Sequence, residues 1–228
     1  MMNKSILLMG TLLVSTFVEI AAQKNSENPN IIFVLADDMG IGDLGCYGQK
    51  KIKTPNIDKL AEKGVLFTNH YSGSTVSAPS RCSLLTGKHT GHAYIRGNKG
   101  IKSEEGFFDL HLPSDEVTVA EILKRKGYAT MCVGKWGLGG PHTTGSPVRK
   151  GFDYFFGYLS QGAAHRYYPE YLYENEDKVM LNKKVYSHFL IMEKGLDFIR
   201  KNAGHPFFCL FCYNTSPCGF GLSGLESI

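Results

Sequence analysis

The chain has 228 residues, 43% of them hydrophobic and 20% charged, with a formal net charge of +4. That length carries one domain with a substantial core, and the mild, scattered basic excess excludes a nucleic-acid-binding surface while leaving an anionic ligand welcome. The six cysteines show no small-scaffold spacing, so buried free thiols are expected rather than a disulfide framework. Residues 1–22 read as an export signal. Lys4 gives the charged start, Ile6 to Val18 the apolar stretch and Ala21-Ala22 the cleavage site. The stretch is short for a membrane span and no later segment approaches that length, so an exported chain, periplasmic or secreted, is expected. Removing it leaves the net charge unchanged, because Lys4 and Glu19 cancel.

Asn30 to Ala36 is a continuous apolar run of strand length, the pattern of a strand buried on both faces of a parallel sheet. Asp37 and Asp38 follow it directly. Adjacent carboxylates repel unless a cation joins them, and in open α/β sheets ligands gather beyond the carboxyl ends of strands. Thr54 as N-cap, Pro55, a face of Ile57, Leu60 and Ala61, and Gly64 as stop predict a short helix. Val65 to Tyr71 reads as a strand leading into a loop at Ser77. Pro79 suits a first helical turn, Leu84 and Leu85 face a core, and Gly87 ends the helix. Ser77 thus sits ahead of a helix N-terminus, where free N–H groups and the dipole favour an anion, and Arg81 lies about one turn on, able to point back. His89 and His92 fall after Gly87, in a loop that does not aim them together.

Thr118 and Glu121 form a capping box for a helix ending before Gly127. Tyr128 to Val133 is a strand with Lys135 at its end. Phe189, Met192, Leu196 and Ile199 mark one face of a longer helix, and Phe207 to Tyr213 is another buried strand. Alternating strands and helices predict a layered α/β fold in one domain over 30–213. The tail over 214–228, rich in Gly and Ser, has no helix or strand periodicity, and the last buried strand lacks later elements to cover it.

The run Ser77-Ala78-Pro79-Ser80-Arg81-Cys82-Ser83-Leu84-Leu85-Thr86-Gly87 resembles the signature of the sulfatase family. There Cys or Ser, any residue, Pro, any residue and Arg lead into Leu-Leu-Thr-Gly. Ile31 to Gly40, with its paired aspartates, resembles the same family's N-terminus, and Gly134-Lys135-Trp136-Gly137-Leu138-Gly139 resembles its Gly-Lys-Trp-His-Leu-Gly. The resemblance covers Asn30 to Tyr213 and implies an alkaline-phosphatase-like layered fold with a mainly parallel central sheet, incomplete at the C-terminus. It also implies calcium on Asp37 and Asp38, sulfate held by Arg81 and Lys135, and a catalytic formylglycine made from Ser77 by a serine-capable maturing enzyme. A hydrated aldehyde has two hydroxyls, one to attack sulfur and one to expel sulfate by collapse.

Three departures accompany the match. Gly137 stands where the family has a sulfate-touching histidine, a proton donor for the leaving alcohol; His165, in Gln161-Gly162-Ala163-Ala164-His165, is the candidate to supply an imidazole instead, the alternative being an ordinary surface or core histidine. Pro217-Cys218 replaces a Pro-His. The family's later Asp-Asn calcium ligands and second sulfate-binding lysine are not in this sequence, so weak calcium binding and no turnover by the chain as written are expected. The expected substrate is a sulfated carbohydrate or aryl sulfate. The alternatives are a non-catalytic remnant that still binds anionic sugars, and a phosphatase or phosphodiesterase using Ser77 unmodified.

Overall fold

A computed structural model describes residues 28–103 and 106–214. The expected export signal and all but the first residue of the expected tail lie outside them. In chain order the elements are β1 (Ile31–Asp37), α1 (Pro55–Lys63), α2 (Ser77–Thr86), β2 (Gly100–Ser103), β3 (Gly106–Asp109), α3 (Val119–Arg125), β4 (Ala129–Lys135), β5 (Tyr154–Tyr158), β6 (Tyr171–Glu174), β7 (Asp177–Met180), α4 (Ser187–Asn202) and β8 (Phe207–Asn214). Six strands form one sheet in the order β1-β8-β4-β5-β6-β7, and β2 pairs with β3 as a separate hairpin. The first four strands of that order run parallel; β6 and β7 return antiparallel.

The sheet is sandwiched, as the alternation of its central strand requires. In β8 every residue is buried. Phe208, Leu210 and Cys212 join one core with Ala78, Cys82, Leu85 and Trp136, while Phe207, Cys209, Phe211 and Tyr213 join the other with Ile191 and Ile199 of α4. Side chains of period two thus meet a helical layer on each face. Gly195 lets α4 sit close: a Cβ there would lie 2.2 Å from the Phe211 ring. The capping box before α3 forms as expected, with Glu121 N–H donating to Thr118 Oγ1 at 3.2 Å and Thr118 N–H to Glu121 Oε2 at 2.8 Å. Cys46, Cys82, Cys132, Cys209 and Cys212 are free thiols, all but Cys46 buried. Among the described residues no helix is long and apolar enough to cross a membrane.

Several expectations are corrected. β1 is not buried on both faces: it is the edge strand, bonded to β8 alone, and Ile32, Phe33 and Val34 remain 42%, 39% and 44% exposed. Val65 to Tyr71 is irregular, because strand propensity without a hydrogen-bonding neighbour does not make a strand. Thr54 does not cap α1 through its side chain; its hydroxyl accepts from Gly45 N–H and donates to Asp58, and Leu60 points to solvent. The buried face of α4 runs through Ile191, Gly195, Leu196 and Ile199, leaving Phe189 exposed. Asn214, assigned to the irregular tail, is the last residue of β8.

Candidate active site

Parallel pairing brings the carboxyl ends of three strands together. In register, Asp37 lies opposite Asn214, and Gly134 lies opposite Cys212, one residue before Lys135. The start of α2 reaches the same edge. Four residues from three distant stretches of the chain therefore meet. Ser77 Oγ donates to Asp37 Oδ1 at 3.1 Å and accepts from Arg81 Nε at 3.1 Å. Lys135 Nζ donates to Asp37 Oδ2. Arg81 Nη1 donates to the Lys135 carbonyl at 2.6 Å, and its Nη2 lies 3.6 Å from Asp37 Oδ1. The expectation that Arg81 points back one turn onto residue 77 holds.

These groups are nearly dry: Arg81 and Lys135 are each 3% exposed. Leu35, Leu84, Leu85, Trp136 and Leu210 line a small cavity together with Arg81. Burial pushes the Asp37 carboxyl up, but Arg81, Lys135 and the Ser77 hydroxyl outweigh it and hold it below its ordinary value. Two cations face the Asp37 carboxylate, in a setting where charge is poorly screened. The Arg81 guanidinium is also felt by Cys212, whose buried thiol is held below its ordinary value by its hydrogen bond with Cys132 first, against the cost of burial, and by Arg81 after that.

Ser77 is the first residue of α2 rather than a residue ahead of it, with Val76 as N-cap. The N–H groups that follow are already spent. Ala78 N–H donates to Asn98 Oδ1 at 3.0 Å, Pro79 has none, and Ser80 N–H donates to the Val76 carbonyl at 3.1 Å. The positive charge at this edge comes from side chains.

Asp38 follows with φ 60 and is exposed. His165 sits in the exposed end of a 3-10 turn, Ala163–His165. The turn is tied to the end of β8, since Asn214 Nδ2 donates to the Ala164 carbonyl at 2.5 Å. No described hydrogen bond joins His165 to the Ser77 cluster.

Two further residues enter that sequence reasoning missed. Asp109, at the end of β3, is buried, and its Oδ2 accepts from Gln161 N–H at 2.7 Å. Burial pushes its carboxyl above the usual range, against that hydrogen bond and the charges of Lys135 and Arg81. Gln161 was visible only as the start of the stretch before His165. Nothing in the local pattern marks either residue, because a hairpin and a loop bring them in.

A hard cation takes oxygen ligands. Asp37, Asp38 and the Ser77 hydroxyl fit that chemistry in kind, and the Oδ1 of Asn214, across from Asp37, is a buried oxygen without a hydrogen-bond partner among the described residues. Among the described residues no three His, Cys, Asp or Glu side chains gather as a metal cluster.

Comparison with known proteins gives a consistent result. The Sulfatase family model matches residues 29–216. The N-acetylgalactosamine-6-O-sulfatase of Bacteroides thetaiotaomicron is 48% identical over 142 residues, covering 58% of this chain and 27% of that relative. Human steryl-sulfatase is 42% identical over 151 residues, covering 62% and 25%. Among solved structures, Ps i-CgsB in complex with k-i-k-neocarrahexaose has a TM-score of 0.70 at 28% identity, covering 83% of this chain and 45% of its own. The structure of BT4656 in complex with its substrate D-glucosamine-2-N,6-O-disulfate has a TM-score of 0.64 at 29% identity, covering 86% and 35%. The chain spans about a quarter of the length of the first curated relatives it matches.

Proposed function

Because this chain belongs to the sulfatase family, we propose that it supplies the nucleophile-bearing part of an arylsulfatase-like sulfuric ester hydrolase, exported to the periplasm or secreted, that acts on a sulfated carbohydrate or aryl sulfate. The observation that carries this reading is Ser77 Oγ held between the Asp37 carboxylate and the Arg81 guanidinium, with Lys135 on the same carboxylate.

Each side chain then has a part. Arg81 and Lys135 bind the sulfate oxygens and offset the negative charge that grows as the ester bond breaks. Asp37 accepts the proton of the residue 77 hydroxyl, a direction already set by the Ser77 to Asp37 hydrogen bond. His165 contacts the substrate from the turn over β8. Conversion of Ser77 to formylglycine supplies a hydrated aldehyde, whose second hydroxyl gives sulfate a route out that plain serine lacks. Asp37 and Asp38 would hold calcium, which supplies further positive charge beside the sulfate.

The test is the chemical state of residue 77. Co-production with a serine-capable maturing enzyme is expected to give a residue 77 peptide lighter by two hydrogens in mass spectrometry, and a cysteine-only maturing enzyme is expected to leave it unchanged. Serine that stays intact with both enzymes would overturn the formylglycine reading and favour the phosphatase or phosphodiesterase. Hydrolysis of an aryl sulfate above a Ser77→Ala control separates the enzyme from a non-catalytic remnant.

Calcium gives a second expected outcome. Two carboxylates and a hydroxyl fall short of the about six to eight oxygens that calcium takes. Titration calorimetry on the purified chain is expected to show only weak binding. A micromolar site abolished by Asp37→Ala would reveal further ligands, with Asn214 the first to examine.

A further inference from the structure

Residue 137 has no side chain, and another residue fills the space one would take. A Cβ on Gly137, whose φ is +72, would lie 1.9 Å from Gln161 Nε2 and 2.5 Å from Gln161 Cδ. Gln161 is anchored there from behind, by its own N–H on Asp109 Oδ2 at 2.7 Å. Asp109 in turn feels the charges of Lys135 and Arg81. The Gln161 amide therefore lies over Gly137, the second residue after Lys135, at the same carboxyl edge of the sheet.

The orientation of that amide is set. Its Nε2 lies 3.4 Å from the Gly137 carbonyl. A carbonyl only accepts, so the nitrogen must face it and the amide oxygen must face away. That oxygen, Oε1, is buried and has no hydrogen-bond partner among the described residues, in a side chain whose residue is only 7% exposed. A buried acceptor left unpaired is costly, so it is poised to be satisfied by something that arrives. A sulfate group does not do this, because its oxygens only accept. The donor must come from the alcohol portion of the ester, close to the sulfate. A sugar carries a hydroxyl or amide N–H on carbons near the sulfated one; the ring of an aryl sulfate carries neither.

We propose that Gln161 is a specificity-determining residue, whose buried Oε1 accepts a hydrogen bond from a hydroxyl or amide N–H of a sulfated carbohydrate and so selects sugar sulfates over aryl sulfates. The proposal rests on the reading of Arg81 and Lys135 as the sulfate site. A site that hydrogen-bonds a substrate donor discriminates against analogues lacking it, because the protein's own polar group is then left bare.

The test compares dissociation constants of the intact protein for N-acetylgalactosamine 6-sulfate and 4-nitrophenyl sulfate by titration calorimetry. In Gln161→Met the preference for the sugar is expected to fall about tenfold. Gly137→Ala, which expels the amide from its place, is expected to lower the preference in the same direction. Thermal melting checks that both variants are folded, and a plug with a purely structural role would move melting without moving the preference. Lys135→Ala is expected to weaken both ligands together. An unchanged preference in Gln161→Met and Gly137→Ala, with Lys135→Ala still weakening both ligands, overturns the specificity role and leaves the sulfate site standing. If Lys135→Ala weakens neither, or the wild type binds neither ligand, the sulfate site fails and the specificity role falls with it.

Discussion

Replacing Arg81 by alanine is expected to destabilise the fold by about 3–5 kcal/mol, the range for removing one partner from a buried charged network. The side chain is 3% exposed and serves three acceptors: the Ser77 hydroxyl, the Lys135 carbonyl and the Asp37 carboxylate. Alanine removes the donor to the buried Lys135 carbonyl and one of the two cations facing Asp37, and leaves a void among Leu84, Leu85 and Trp136. Urea denaturation reads the loss as a lower midpoint at constant slope. Arg81→Lys is expected to recover little, because an ammonium cannot bridge Ser77 Oγ and the Lys135 carbonyl at once as Nε and Nη1 do. A loss below about 1 kcal/mol in Arg81→Ala would mean that these bonds contribute no more than an ordinary surface contact.

Lys135→Ala acts on binding instead. Without Lys135 the Asp37 charge is offset by Arg81 alone, and the site loses one positive charge just where an anion must dock. One charge-assisted contact is lost and one repulsion is uncovered, so affinity for a sulfate ester is expected to fall about a hundredfold. Lys183, paired with Glu170 in a side chain that is 70% exposed, is the control. Lys183→Ala is expected to leave affinity within about twofold, as screened surface charges do. Equal losses in both variants would point to diffuse electrostatic attraction rather than a site.

What was legible in the sequence is what depends on neighbours along the chain. The spacing of Ser77 and Arg81 specifies a helical turn, and the turn places Nε on Oγ. The apolar runs of β4 and β8 specify strands buried on both faces, and the carboxylate and lysine that end β1 and β4 are carried to one edge by parallel pairing. What was not legible depends on sheet order. β1 has a composition suited to a central strand, yet its place at the edge is decided by which strands lie beyond it. β6 and β7 escaped notice because their turn is Asn175-Glu176, with Asn175 supplying the positive φ of 58 that a glycine would have advertised. Asp109 and Gln161 carry no periodic signal at all. The supposed anion-binding amides of α2 were misjudged because Asn98, some twenty residues downstream, takes the one at Ala78.

The pairing of β1 with β8 also sets a timetable. Asn30 and Phe207, joined at 3.2 Å at the foot of that pair, are 177 residues apart in the chain. At about 5–20 residues per second, a ribosome delivers β8 roughly ten to thirty-five seconds after β1. Through that interval Ile32, Phe33 and Val34 have no ladder to join, and Asp37 has no fixed strand end from which to meet Ser77. The Asp37 end of β1 is thus fixed only after β8 has been made, by closure of a long loop that carries its own entropic cost. Until then the nascent chain carries an unpaired apolar strand that invites a holding chaperone or a wrong strand partner.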